Sequence, residues 1–304
     1  MPDFIRDAIH NSFYLTVPIL IISLYLVFKL VSALLRLVTT LICLLMLAVS
    51  WMYFVEPNML TVKPVSIPVG INKQVLFLSD LHFGFNKNSN FAVKLADEIN
   101  KQTDIDMVLY AGDIVEKVAI EDMDKTFAPL SSIKFPQYAV LGNHDYKYSE
   151  SSKDNNEPTE YSKALTTSLN KNSIKVIDNQ SIDFGSFTLS GISSRATTFQ
   201  NLNIPRNNKN LVLVHEPITT DLIADGANTL LLAGHSHCGQ VKLPYISEQF
   251  LMHKDMEIPV KDKYFEGLYE SNTKGKTFVS CGVGESTLPI RFLNPPTIYK
   301  INLN

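Results

Sequence analysis

The chain has 304 residues and a net charge of −3, from 27 basic and 30 acidic side chains. That balance writes no strong nucleic-acid footprint, so nucleic acid is not an expected partner, although a local basic patch stays compatible with it. At 45% hydrophobic and 19% charged, the composition is that of a globular chain rather than a disordered one.

The apolar residues are unevenly placed. From Phe13 to Val55 the only charges are Lys29 and Arg36. Leu37 to Val55 is an uncharged run of 19 residues. At ~1.5 Å per residue it can cross a hydrocarbon core of ~30 Å. Phe13 to Phe28 is shorter and contains Pro18, and it spans only by running past Lys29 with that side chain snorkelling. A cleaved signal peptide fits poorly. The start carries Asp3, Arg6 and Asp7, and Ala48-Val49-Ser50 runs straight into bulky Trp51-Met52-Tyr53-Phe54. Residues 1–56 therefore read as a retained anchor, with a two-helix hairpin preferred over one span. This places the protein in a cell membrane. Lys29 and Arg36 would hold a hairpin loop in the cytoplasm, while Arg6, Lys63 and Lys73 pull the other way, so the orientation is balanced.

Residues 57–72 hold Pro57, Pro64 and Pro68 and read as a linker with room for an edge strand. Residues 73–304 then repeat one pattern, in which a short apolar run ends in glycine or metal-capable side chains. The instances are VLFLSDLHFG (75–84), MVLYAGDIVE (107–116), YAVLGNHDY (138–146), LVLVHEP (211–217) and TLLLAGHSHCGQ (229–240). Such runs read as strands buried on both faces. Between them lie helical patterns: one capped by Ser89 with Phe91, Leu95, Ala96 and Ile99 on its apolar face, one over 118–131 and one over 159–171. The alternation argues an α/β architecture with parallel pairing early on. In open α/β sheets, ligands gather at the carboxyl ends of strands, where every polar cluster here sits.

Five of the seven histidines, His82, His144, His215, His235 and His237, occupy these strand ends; His10 and His253 do not. Asp80 and His82 are two apart, as are His235 and His237, a spacing that turns both side chains of a strand end to one side. Asp113 and Asn143 each follow a glycine. Two Asp, four His and one Asn exceed the needs of one four-coordinate ion. They suit two divalent ions ~3.5–4 Å apart, which polarise a phosphoryl group and lower the pKa of an attacking water.

These motifs, Asp-x-His, Gly-Asp, Gly-Asn-His-Asp, a lone His and Gly-His-x-His in that order, resemble the calcineurin-like metallophosphoesterases from about Gln74 onward. The resemblance implies a fold of two mixed β-sheets packed as a sandwich and flanked by helices. It also implies roles: Asp80, His82 and His237 on a first metal, Asn143, His215 and His235 on a second, and Asp113 bridging. His144 would contact the phosphate with Asn143 and protonate the leaving oxygen. Asp145 would either orient His144 or stabilise its own turn. The mixed nitrogen and oxygen donors suit Mn, Fe or Zn.

The strings GHSHCGQ (234–240) and GVGESTLPIRFLNPPTI (282–298) resemble the membrane-anchored branch of the family, which includes relatives that release UMP from UDP-2,3-diacylglucosamine in lipid A synthesis. That implies a phosphorylated or pyrophosphate-containing, lipid-linked substrate. A broad phosphodiesterase acting on nucleotides or cell-surface polymers is the rival, and a non-catalytic membrane-bound binding module is the alternative of another class. No core ligand of the family is missing. Phe83, Phe85, Tyr146 and Tyr148 either line an apolar groove or pack in loops, with packing favoured. Arg291 is a candidate phosphate partner. Cys43, Cys238 and Cys281 are scattered and odd in number, so no disulfide framework is indicated, and Cys238 reads as a packed small residue. The oligomeric state is not written in the sequence.

Overall fold

The computed structural model describes residues 2–146, 159–194, 209–217, 228–242, 265–270 and 275–304. The chain divides into two units, Met1–Trp51 and Met52–Asn304.

The first unit is one helix, α1 (Asp3–Ser50), of 48 residues. At 1.5 Å per residue it is ~72 Å long, more than twice a bilayer's hydrocarbon thickness. The expected hairpin is not formed. Lys29 to Arg36 reads KLVSALLR, which contains no glycine, proline, asparagine or aspartate to turn the chain. The polar side chains there stay within the helix: Ser32 Oγ donates to the Phe28 carbonyl and Thr40 Oγ1 to that of Arg36. Pro18 is accommodated inside the helix. The apolar side chains from Ile19 onward are mostly exposed.

The second unit contains two six-stranded sheets among the described residues. The first holds β1 (Thr61–Ser66), β2 (Lys73–Leu78), β3 (Met107–Ala111), β4 (Gln137–Val140), β5 (Ile174–Val176) and β12 (Thr297–Leu303), in the order β1-β12-β2-β3-β4-β5. β2 to β5 are parallel, and β12 enters antiparallel to β2. The second holds β6 (Ser181–Asp183), β7 (Thr188–Ile192), β8 (Asn210–Val214), β9 (Thr229–Ala233), β10 (Gly267–Glu270) and β11 (Lys276–Val279), in the order β10-β11-β9-β8-β7-β6. β7, β8, β9 and β11 run parallel, with antiparallel β6 and β10 at the edges. Within the presumed linker, β1 is an edge strand, which leaves Pro64 tolerable.

Strand alternation builds two cores. Val75 and Phe77 of β2 and Leu109 of β3 pack toward Leu211, Leu213, Leu230 and Leu232 of the other sheet. The intervening Leu76, Leu78 and Val108 face the helical layer. Each such fully buried side chain is worth ~1.5–3 kcal/mol. The helical layer contains α2 (Ser89–Asn100), α3 (Met123–Phe127) and α4 (Glu160–Lys171). The cap of α2 is Asn88, not Ser89: its side chain accepts from the backbone N–H groups of Asn90 and Phe91. Phe91, Leu95, Ala96 and Ile99 are buried as expected. The helix expected over 118–131 is broken into α3 and two flanking 3₁₀ turns, the second of which takes in Pro129.

Candidate metal centre

Parallel pairing aligns the carboxyl ends of β2, β3 and β4 in one sheet and of β8 and β9 in the other, and every sequence-predicted site residue except Arg291 follows one of them. The chain does not stay extended there. Asp80, His82, Asp113, His235 and His237 all have positive φ, between 46° and 69°. Non-glycine residues reach this region at a cost of ~1–3 kcal/mol each, a pattern that concentrates at functional sites. The two-apart spacing of Asp80 and His82 therefore does not work through strand alternation; tight left-handed turns aim the side chains. The same holds for His237-Cys238-Gly239, which form a 3₁₀ turn.

Three groups of ligand-capable atoms result, each with its atoms within 4.8 Å of one another: Asp80, His82 and His237; Asp113, His215 and His235; and His82, Glu116 and His144. Asp113 belongs to the second group and also reaches the first. Its Oδ2 is 3.5 Å from His82 Nε2 and 3.1 Å from His215 Nε2. Its Oδ1 accepts from the His144 backbone N–H at 2.9 Å. Close glycines clear its space: a Cβ on Gly142 would stand 2.2 Å from Asp113 Oδ1, and one on Gly112 2.7 Å from His215 Nδ1. Asn143 Oδ1 is 3.0 Å from His215 Nε2.

The histidines meet nitrogen to nitrogen. His82 Nε2 is 3.0 Å from His237 Nε2, and His235 Nδ1 is 3.1 Å from His215 Nε2. His237 Nδ1 is buried with no hydrogen-bond partner among the described residues. Burial, with His82 beside it, pushes the His237 pKa well down; burial and His215 bring His235 to about 3. Burial works against a charge on His215, but the charge and hydrogen bond of Asp113 raise its pKa well above the usual value, so His215 gives up a proton when a cation binds. Converging imidazole nitrogens around a shared buried carboxylate form a donor set that fits divalent cations. Burial works against ionising Asp113, but the charge and hydrogen bond of His215, with His82 and His144, overcome it and hold the carboxyl below its usual range.

His144 is partly exposed at the edge of this cluster. Its Nδ1 lies 2.6 Å from Glu116 Oε2, which also lies 2.9 Å from His82 Nδ1. Burial alone would lower the His144 pKa, but the Glu116 hydrogen bond and the charges of Asp113 and Glu116 raise it to about 9. Glu116 closes the run MVLYAGDIVE and was not singled out as a candidate; its only sequence signal is its place three residues after Asp113.

Other expectations are corrected. Of the two roles expected for Asp145, the structure shows the turn-stabilising one and no side-chain hydrogen bond to His144 among the described residues. Asp145 Oδ1 accepts from the Val115 N–H at 2.9 Å and its Oδ2 from the Gly142 N–H at 2.8 Å, which pins the two ligand-bearing turns together. Arg291 is not placed to meet a phosphate. It is fully buried, donating to the carbonyls of Asn294, Cys281 and Gly284, with Nε 3.3 Å from Glu285 Oε1. Cys238 is not a lone packed residue but is disulfide-bonded to Cys281. Phe83 and Tyr146 are buried in the core, as the packing alternative expects. Tyr148 and His253 lie outside the described residues.

Two packed mixed sheets with this carboxylate–imidazole cluster at their strand ends define a metallophosphoesterase domain. Residues 73–239, more than half the chain, match the family model described as calcineurin-like phosphoesterase, and the chain belongs to that family, which uses a dinuclear metal centre. Among its relatives, an uncharacterised metallophosphoesterase of Campylobacter jejuni is 26% identical over 80% of this chain and 63% of its own length. The phosphodiesterase YaeI of Escherichia coli is 26% identical over 69% of this chain and 75% of its own. The UDP-2,3-diacylglucosamine pyrophosphatase LpxG of Chlamydia trachomatis is 22% identical over 86% and 94%. The chain spans about six-tenths of the length of the first curated relatives it matches. Among solved structures, the NAD nucleotidase NadN of Haemophilus influenzae aligns with a TM-score of 0.41 at 15% identity, over 68% of this chain and 44% of that one.

Proposed function

We propose that the protein is a membrane-anchored hydrolase, dependent on two divalent ions, that cleaves a phosphoester or pyrophosphate bond in a membrane lipid or lipid-linked group. The observation that carries this is Asp113, one carboxylate that reaches two clusters of imidazole and carboxylate donors. Asp80, His82 and His237 would hold one ion, and Asn143, His215 and His235 the other, with Asp113 shared. The donor set suits Mn, Fe or Zn. Such a pair supplies positive charge at the phosphoryl oxygens and a water of lowered pKa. His144, with its pKa raised to about 9, carries a proton to the leaving oxygen, and Asn143 and His144 contact the phosphoryl group.

The lipid assignment rests on the helical stretch Thr16–Asn58, made of α1 from Thr16 and the two helical turns after it, which contains an apolar run long enough to cross a membrane. Likeness to LpxG supports a substrate such as UDP-2,3-diacylglucosamine, and hence a place in lipid A synthesis. The Cys238–Cys281 disulfide favours a second reading. Such bonds persist outside the reducing cytosol, where a phosphodiester on the outer membrane face or a cell-surface polymer is the available substrate.

The test uses full-length protein in detergent, loaded in turn with Mn²⁺, Fe²⁺ and Zn²⁺. UMP release from UDP-2,3-diacylglucosamine supports the nucleotide-lipid substrate. Turnover of an aryl phosphodiester without UMP release supports the second reading. No turnover of either with any metal overturns the hydrolase.

A further inference from the structure

The loop between β11 and β12 carries side chains that the proposed chemistry does not use. Among the described residues of Met52–Asn304, ten large apolar side chains are exposed, and six of them are Tyr53, Phe54, Val55, Met59, Leu288 and Leu293. Phe54 is 68% exposed, and Leu288 and Leu293 are 56% exposed each. These two stretches are neighbours in space. The Arg291 N–H donates to the Met52 carbonyl at 3.0 Å, and the Asn294 N–H to Glu56 Oε1 at 2.5 Å. The loop thus runs beside Met52 and Glu56, at the start of the second unit.

The same loop is fastened to the metal-ligand segment. Gln240 Nε2 donates to the Leu288 carbonyl at 3.1 Å, while Gln240 Oε1 accepts from the Ser286 N–H at 2.5 Å. The Lys242 N–H donates to the Phe292 carbonyl and the Phe292 N–H to that of Gln240. Asn294 Nδ2 donates to the His237 carbonyl at 2.8 Å. Buried Arg291 and Lys87 converge on Glu285 and keep the loop rigid: Lys87 Nζ is 3.1 Å from Glu285 Oε1 and 2.6 Å from the Pro57 carbonyl it donates to. Solvent-exposed leucines on a braced loop cost free energy in water, and clustered exposed apolar side chains mark an interaction surface.

We propose that Leu288 and Leu293, with Tyr53 and Phe54, form a second membrane-contact surface, whose partner is the bilayer leaflet into which the chain runs. Chain continuity selects the partner: the uncharged run Leu37–Val55 is itself long enough to cross a bilayer and ends at Met52–Val55, and the leucines flank Arg291 and Phe292, whose loop is bonded to Met52. Aromatic side chains at that position suit the headgroup boundary. Through Gln240 and Asn294 the contact would set the height of the His235–His237 turn above the membrane, so that a lipid phosphate is met where it lies. This inference rests on the anchor assigned above.

The experiment places a bimane reporter on single cysteines in full-length C43S protein, reconstituted into phosphatidylcholine–phosphatidylglycerol vesicles with doxyl-labelled lipids. Cys238 and Cys281 stay paired and unlabelled. Reporters replace Leu288, Leu293, Ile42 in the apolar helix, and Phe184 in the β6–β7 hairpin. Leu288→Cys and Leu293→Cys should be quenched and blue-shifted at the ~5–10 Å depth of interfacial apolar side chains, with Phe184→Cys unchanged. Quenching at Ile42→Cys without quenching at 288 or 293 overturns the contact surface and leaves the anchor standing. No quenching at Ile42→Cys overturns the anchor itself and the proposal with it. Equal quenching at 184 and 288 overturns the specific surface.

Discussion

Glu116 grips the ring of His144: its Oε2 lies 2.6 Å from Nδ1. The bond orients the ring and favours its protonated form, with Nδ1–H on Glu116 and the Nε2 proton left for a leaving oxygen. Glu116→Ala should therefore act through His144, lowering turnover by roughly 10–100-fold. The loss should be larger for substrates with poor leaving groups than for 4-nitrophenyl esters, whose departure needs little proton transfer. His144→Ala should show the same leaving-group dependence, with a loss of roughly 10²-fold or more and near-normal metal content. Uniform loss across leaving groups in Glu116→Ala would assign Glu116 to His82 instead.

Cys238 and Cys281 close a loop across 43 positions and tie the His237 turn to the segment after β11. Removing such a link costs about 2–4 kcal/mol. Cys238→Ala should lower the melting temperature of the purified protein by several degrees. Its activity, assayed well below that temperature, should be largely retained. An unchanged melting temperature would show that the bond adds no stability.

Arg291 and Glu285 are both almost completely buried, so removing the guanidinium leaves a buried carboxylate with Lys87 as its remaining charged partner, beside a long hydrogen bond from Asn86. Arg291→Ala should destabilise the fold by roughly 3–5 kcal/mol, read by chemical denaturation. For protein that stays folded, KM should change little. A large rise in KM with unchanged stability would return Arg291 to the substrate.

Asp178 titrates away from the metal cluster. Its Oδ1 accepts from the Leu141 N–H and its Oδ2 from the Tyr146 hydroxyl, yet burial dominates and raises its pKa to about 6. An unfolded aspartate titrates near ~3.9. The native state thus holds this proton more tightly, so the contribution is complete below the unfolded value and is lost as pH rises through the folded one. Asp178→Asn should flatten the decline in stability between about pH 4 and pH 6 relative to the unmodified chain. Parallel stability curves for the two proteins would contradict this.

Much of this was legible in the sequence, because apolar runs ending in histidine and aspartate report strand ends directly. The five runs became β2, β3, β4, β8 and β9, and their terminal side chains came together. What escaped depends on pairing across long separations. The second sheet's partners, the Cys238–Cys281 bond and the Arg291–Glu285 pair have no local periodicity to announce them. Glu116 escaped for another reason: nothing in one sequence separates a glutamate that holds two imidazoles from one facing solvent. The hairpin expectation failed because two charges in an apolar stretch do not turn a helix that lacks a breaking residue.

The central claim is that one carboxylate, Asp113, serves two ions. It is tested most directly by metal analysis of full-length protein beside the Asp113→Ala variant. The account predicts about two divalent ions per chain, falling below about one in the variant together with loss of phosphodiester turnover. Retention of both ions in Asp113→Ala, or a single ion in the unmodified protein at full activity, would contradict it.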